Sequence, residues 1–209
     1  PQRENKEARV LTLQEQKILE QVAKQDKNGF AILLASYTGL RVGEICGLTW
    51  EDVDLGNGVL NVSRTIRRVQ CHEPEAETKT VLVIGSAKSE RSRRAIPLPS
   101  CILKLFQEHK KTSTGEYVFS YRGHPLEPRI LQYRFKMLLK KAGLAEINFH
   151  ALRHTFATRC MELCFDIKTL SEILGHASAK MTLDRYGHSQ MEHKRLVMKS
   201  LDGLFACSA

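Results

Sequence analysis

Residues 149–186 read FHALRHTFATRCMELCFDIKTLSEILGHASAKMTLDRY, and this stretch decides how the rest of the chain is organised. It predicts three short helices. His150 and Arg153 are three apart and share a helix face. Leu152, Phe156 and Leu163 form a separate stripe expected to face the core, which places the basic pair beside the buried stripe and not within it. Gly175, directly after Leu174, reads as a helix terminator. His176 follows it, and Tyr186 stands ten residues further on. Two histidines, an arginine and a tyrosine from neighbouring short elements suit the gripping of a phosphate, and an attack on it, better than they suit a plain core.

Upstream, residues 1–11 are charged and patternless and read as a linker. Thr12 with Glu15 makes a capping box for a helix whose inner face is Ile18, Leu19 and Val22. FAILLASY, residues 30–37, is apolar nearly all round, as expected of a central buried helix closed by Thr38-Gly39. Arg41 opens a short helix that carries Glu44 and ends at Gly47. The period then changes. Residues 52–55 and 59–66 flank Gly56-Asn57-Gly58, a hairpin signal. Residues 81–84 and 95–98 are two more short strands around the basic turn GSAKSERSRR, residues 85–94. Residues 70–79 and 111–125 read as loops, the second with Tyr117-Val118-Phe119 tucked inward. Ser100 is expected to cap a helix to about Lys110. Pro128 opens another, with Leu131, Phe135, Leu138 and Leu139 inward and Gly143 at its end. Val197, Leu201, Leu204 and Phe205 give residues 191–209 one apolar helical face.

The chain of 209 residues fits one domain and is long enough for a core. Lys+Arg outnumber Asp+Glu by 32 to 23, and the net charge of +9 points to nucleic acid or another anionic surface as partner. No apolar run is long enough to span a bilayer, no signal peptide is visible, and the opening Pro1 suggests a fragment whose upstream part is missing. The six cysteines lack a disulfide spacing and are expected to be reduced thiols of a cytoplasmic protein. Cys160 and Cys164 fall at i, i+4, compatible with a pair but better read as small buried side chains.

Each candidate residue has a bland reading beside the chemical one. Arg41 near a helix start can hold an anion with Glu44 fixing its fork, or the two can be a surface pair. His150 and His154 have zinc-ligand spacing, yet Ala151 occupies the place where a metalloprotease needs Glu. Lys88 in the basic turn can deliver a proton to a leaving oxygen, with Arg91, Arg93 and Arg94 holding DNA phosphates in register, or the turn can be a charged hairpin tip. Tyr186 is a weak nucleophile at its ordinary pKa unless cations surround it; otherwise it is a tyrosine packed at a helix end.

The motifs Thr38-Gly39-Leu40-Arg41-x-Gly43-Glu44, Lys88-x4-Arg93-Arg94-x-Ile96-Pro97-Leu98, His150-x-Leu152-Arg153-His154-Thr155-Phe156-Ala157-Thr158, Leu174-Gly175-His176 and Tyr186 occur in that order. Together they closely resemble the catalytic domain of the tyrosine recombinases, the phage and transposon integrases. The resemblance implies a mainly α (α+β) fold, a helical body with a small antiparallel β-sheet, of the DNA breaking-rejoining type. It implies a linker at 1–11 from absent N-terminal DNA-binding domains, a catalytic domain at 12–190, and a tail helix at 191–209 that docks on a neighbouring protomer. It further implies that Arg41 and Arg153 bind the scissile phosphate, His176 hydrogen-bonds it, His150 assists proton transfer, Glu44 supports Arg41, Lys88 protonates the leaving 5′ oxygen, and Tyr186 forms a 3′-phosphotyrosyl link. Lys79 is a nearby alternative to Lys88, and the spacing to Arg93-Arg94 favours Lys88. No cofactor and no metal is expected. The implied partner is double-stranded DNA, bound by a homotetramer on paired sites that is monomeric without DNA, with accessory DNA-bending proteins as further partners, in the cytoplasm at the nucleoid and with no membrane. Two other functions fit the same residues: a type IB topoisomerase-like relaxing enzyme, and a DNA-binding regulator that does not catalyse.

Overall fold

The computed structural model describes residues 9–71, 79–86, 93–176, 178–186 and 198–199, of which Ser86, Ala179 and residues 184–186 are described by backbone alone. Helix α1, Leu13–Gln25, begins at the expected box: Thr12 Oγ1 accepts from the Glu15 N–H, and the Glu15 carboxylate accepts from the Thr12 N–H. Its buried residues are Leu19 and Ala23. Helix α2, Phe30–Thr38, is buried on nearly every side, as its sequence requires, and becomes the post against which α1 and the later helices pack. It stops at Gly39, whose φ of +64° is the left-handed cap that glycine takes without a Cβ penalty. Helix α3, Val42–Cys46, follows at once with Arg41 as its N-cap.

The strands form three small sheets and not the single one expected. β1, Val53–Asp54, pairs with β2, Val59–Val62, which pairs with β5, Arg94–Pro97. Among the described residues β3, Arg64–Gln70, pairs only with β4, Thr80–Ser86, in a separate antiparallel ribbon. The run read as one strand, residues 59–66, is broken at Ser63, which leaves the ladder to donate its hydroxyl to Asp52 at 2.8 Å. Asp52 also accepts from the Thr49 N–H and hydroxyl, so one buried carboxylate fixes the corner between the sheets.

β6, Ser120–Tyr121, and β7, His124–Pro125, form a hairpin inside the stretch read as loop. Arg122 and Gly123 both take positive φ, 52° and 79°, as a two-residue primed turn requires; arginine gives no sequence warning of that. Helix α4, Ser100–Thr112, starts after Pro99, so Ser100 is its first residue and not its cap. Helix α5, Pro128–Lys141, buries the four apolar residues expected of it.

The decisive stretch gives the three expected helices: α6, His150–Glu162, α7, Ile167–Leu174, and α8, Ala179–Tyr186. Helix α6 packs on α2, and α7 and α8 pack on each other and on α6. The stripe reading fails at Leu163, which is 72% exposed just past the helix end. Tail positions Val197, Leu201, Leu204 and Phe205 lie outside the described residues, as does Cys207. No helix among the described residues is long and apolar enough to cross a membrane.

Gly39 is where α2, α6 and α7 meet. A Cβ there would stand 2.6 Å from Phe156 Cδ1 and 2.8 Å from Leu174 Cδ2, on a backbone with positive φ. Gly39→Ala is expected to cost roughly 1–3 kcal/mol, read as a lower urea midpoint with the same slope. A midpoint equal to wild type would contradict this packing.

Candidate active site

Helix α7 ends at Gly175 in the left-handed conformation, φ 62°. The last carbonyls of a helix lack partners within it and carry its partial negative charge. Here three arginines from three other elements reach them. Arg94 of β5 donates Nε–H to the Ile173 carbonyl at 2.6 Å. Arg153 of α6 donates from Nη2 to the Leu174 carbonyl at 2.6 Å and from Nη1 to the Gly39 carbonyl at 2.8 Å. Arg41 reaches the Leu174 and Gly175 carbonyls at 3.5 and 3.4 Å. Arg41 and Arg153 therefore meet at one oxygen although 112 residues separate them in the chain.

The two differ in access. Arg153 is 2% exposed, among the most buried side chains described, whereas the Arg41 side chain is 42% exposed. The expectation that the basic pair lies beside the core is corrected for Arg153: it lies within it, because backbone carbonyls satisfy its charge. His150, one turn before it, is exposed, with its ring edge-to-face with His154 at 4.7 Å between centroids.

Glu44 is the counter-charge. Its carboxylate accepts from the Arg41 backbone N–H at 2.8 Å and from Arg41 Nη1 at 2.9 Å. It also accepts both Nη groups of Arg94, at 3.1 and 2.8 Å. Burial pushes the pKa of this carboxyl upward. The hydrogen bond and charge of Arg94, followed by those of Arg41, outweigh burial and hold it below the ordinary carboxylate value.

His176 follows the α7 cap. Its Nδ1 lies 2.7 Å from the hydroxyl of Thr182, a fully buried residue of α8, and its backbone N–H donates to the Ser171 carbonyl. Tyr186 closes α8 four residues beyond Thr182; its backbone is described and its side chain is not. Arg41, Glu44, Arg153 and His176 are thus brought together, with the helix that carries Tyr186 tied to His176.

Lys88 and Arg91 lie outside the described residues. Arg93 is exposed and, with Asn61, Val62, Ser63, Arg94 and Ala95, lines an open recess. The expectation for Arg94 is corrected: its side chain is 6% exposed, and its Nε and both Nη groups are taken up by the Ile173 carbonyl and the Glu44 carboxylate. A signal for this was present, since Arg94 and Ile96 share a strand face and Ile96 is a core residue. The role of Thr182 had no such signal. Lys79 is exposed at the foot of β4. Cys160 is buried and its thiol pushed up to about 12 by burial, while Cys164 is exposed, and neither is joined in a disulfide. Among the described residues no three His, Cys, Asp or Glu side chains gather as a metal site.

The family model described as "Phage integrase family" matches residues 9–193. A tyrosine recombinase XerC-like protein of Caldanaerobacter subterraneus subsp. tengcongensis is 32% identical over 189 residues, 83% of this chain and 48% of its own length. The ICEBs1 integrase of Bacillus subtilis is 27% identical over 183 residues, 82% of this chain and 47% of its own. The chain spans about half the length of the curated relatives it matches. Among solved structures, the Tn1549 transposon integrase in complex with a circular intermediate DNA superposes with a TM-score of 0.77 at 27% identity, covering 95% of this chain and 67% of that one. XerA recombinase superposes at 0.69 with 26% identity, covering 92% and 64%.

The Glu44 carboxyl binds its proton more weakly in the folded chain than in the unfolded one, whose ordinary value is 4.5. Its stabilisation is therefore complete above about pH 4.5 and is lost as pH falls through the lower, folded value. Glu44→Gln is expected to lose roughly 3 kcal/mol near neutrality. In paired thermal melts the gap to wild type should narrow in acid; a gap that stays constant down to the acid transition would contradict the assignment.

Proposed function

Because the chain belongs to the phage integrase family, we propose that it is the catalytic part of a site-specific recombinase acting on double-stranded DNA. It cleaves and rejoins strands through a covalent link to Tyr186, in the integration or excision of a mobile element. The observation that carries this reading is the meeting of Arg41, Arg153 and His176 at the end of α7, with Thr182 joining that end to the helix of Tyr186. Such a cluster offers several donors to one phosphate and suits the charge that builds on its oxygens as a bond forms.

Arg41 and Arg153 bind the non-bridging oxygens, and His176 donates a further hydrogen bond. Arg153, buried against the Gly39 and Leu174 carbonyls, is the fixed member; Arg41, paired with Glu44 but reaching the end of α7 only through two long contacts, is the one whose tip adjusts to substrate. The Tyr186 oxygen attacks phosphorus as its proton passes to a base, the role proposed for His150 at the start of α6. The bond from phosphorus to the 5′ oxygen breaks, and Lys88 supplies the proton that oxygen needs. The phosphodiester energy stays in the 3′-phosphotyrosyl bond, so a 5′ hydroxyl from a partner strand can reverse the attack without ATP. Exchange between two sites calls for four protomers on paired DNA, working in the cytoplasm at the nucleoid. Accessory DNA-bending proteins and docking of the tail on a neighbouring protomer belong to the same proposal. The relatives named integrase, transposase and XerC favour recombination over simple relaxation.

Incubation at low salt with a nicked suicide oligonucleotide should give a covalent conjugate. Low salt matters because phosphate contacts weaken steeply as salt rises. Tyr186→Phe should bind the DNA as wild type does and give no conjugate. A Tyr186→Phe protein that still forms the adduct would overturn the proposal.

A further inference from the structure

Arg94 is a buried arginine that the reaction above leaves unused. It makes three hydrogen bonds, two to the Glu44 carboxylate and one to the Ile173 carbonyl, and the shortest are 2.6 and 2.8 Å. Its stem packs against Gly175: a Cβ on that glycine would meet Arg94 Nη1 at 2.9 Å, its Cζ at 3.1 Å and its Cδ at 3.2 Å. Gly175 is therefore required twice, by its positive φ and by this guanidinium. The backbone of Arg94 is fixed as well, in register with Val62 of β2.

These contacts join three pieces of chain that have no covalent reason to stay aligned: the β2–β5 ladder, the first turn of α3 and the last turn of α7. Glu44 in turn sets the fork of Arg41, and the last turn of α7 leads directly to His176. We infer that Arg94 is a positioning residue for strand cleavage, fixing Glu44 and the end of α7 so that Arg41 and His176 address the same phosphate. It touches no substrate. Its planar fork serves because it grips a carboxylate with two parallel donors while Nε–H reaches a third acceptor, a geometry that lysine lacks. This inference rests on the recombinase reading and adds to it a residue whose effect passes through two others.

A positioning role gives a pattern that neither a DNA contact nor a purely structural residue would give. Arg94→Met keeps most of the apolar stem, and Arg94→Lys keeps the charge. Each is compared with wild type for DNA affinity, for the single-turnover rate of conjugate formation at saturating DNA, for the pH dependence of that rate, and for the folded fraction. Arg94→Met should keep its affinity within about twofold and lose about 100-fold in rate, the scale of an ångström-level misplacement. Arg94→Lys should recover part of that loss. The charged groups facing the Glu44 carboxylate are Arg41 and Arg94, so removing Arg94 leaves burial less opposed. The acid limb of the rate profile should then move to higher pH.

Three results would overturn the inference. One is an Arg94→Met rate within about twofold of wild type. Another is weakened DNA affinity with the saturated rate intact, the mark of a phosphate contact. The third is a rate loss matching the unfolded fraction, with Arg94→Lys no better than Arg94→Met. Absence of conjugate with the wild-type chain would instead refute the recombinase reading.

Discussion

The negative end of one eight-residue helix organises this protein. The carbonyls of Ile173, Leu174 and Gly175 have no partners within α7, and each accepts from an arginine that another element delivers. The match is favourable for both sides, since a helix C-terminus favours cations and a buried guanidinium needs fixed acceptors. Burial of Arg153 is offset in part by the Gly39 and Leu174 carbonyls, which take the place of water around its guanidinium. Moving this helix end would take the Leu174 carbonyl away from a buried guanidinium, a cost that helps to hold the three-helix arrangement in place.

Glu44 gives the cluster its charge balance. One carboxylate serves both Arg41 and Arg94, so these groups and Arg153 leave the cluster positive. A phosphate is the anion that such an arrangement suits, and the long contacts of Arg41 to Leu174 and Gly175 are those most readily exchanged for phosphate oxygens. The geometry therefore separates a rigid floor, made of Arg153, Arg94 and Glu44, from an accessible Arg41 above it.

Much of this was legible in the sequence, and the exceptions share a cause. The caps at Thr12, Gly39 and Gly175 and the inner face of α5 follow from local rules, and the structure has them. The helices of the decisive stretch were legible too, and the order of motifs located Arg41, Arg153 and His176. Most of the misread residues are those whose partners lie on other elements of the chain. Arg153 looked like a surface cation because periodicity cannot see the Gly39 carbonyl that satisfies it. Arg94 looked like a phosphate contact because a basic run hides which of its members faces inward. Ser63 broke a strand because of a carboxylate eleven residues away, and Arg122 took a left-handed turn that its residue type does not announce. Thr182 was visible only once α8 lay beside His176.

The central claim is that the end of α7 presents Arg41, Arg153 and His176 to one phosphorus centre. Its most direct test is a structure of the chain with vanadate joining the ends of a nicked DNA duplex, a mimic of the five-coordinate transition state. The account predicts both guanidinium groups and the His176 ring within about 3 Å of vanadate oxygens, with the Leu174 carbonyl still held by Arg153. Vanadate bound elsewhere, or bound while Arg41 and His176 point away from it, would contradict the account.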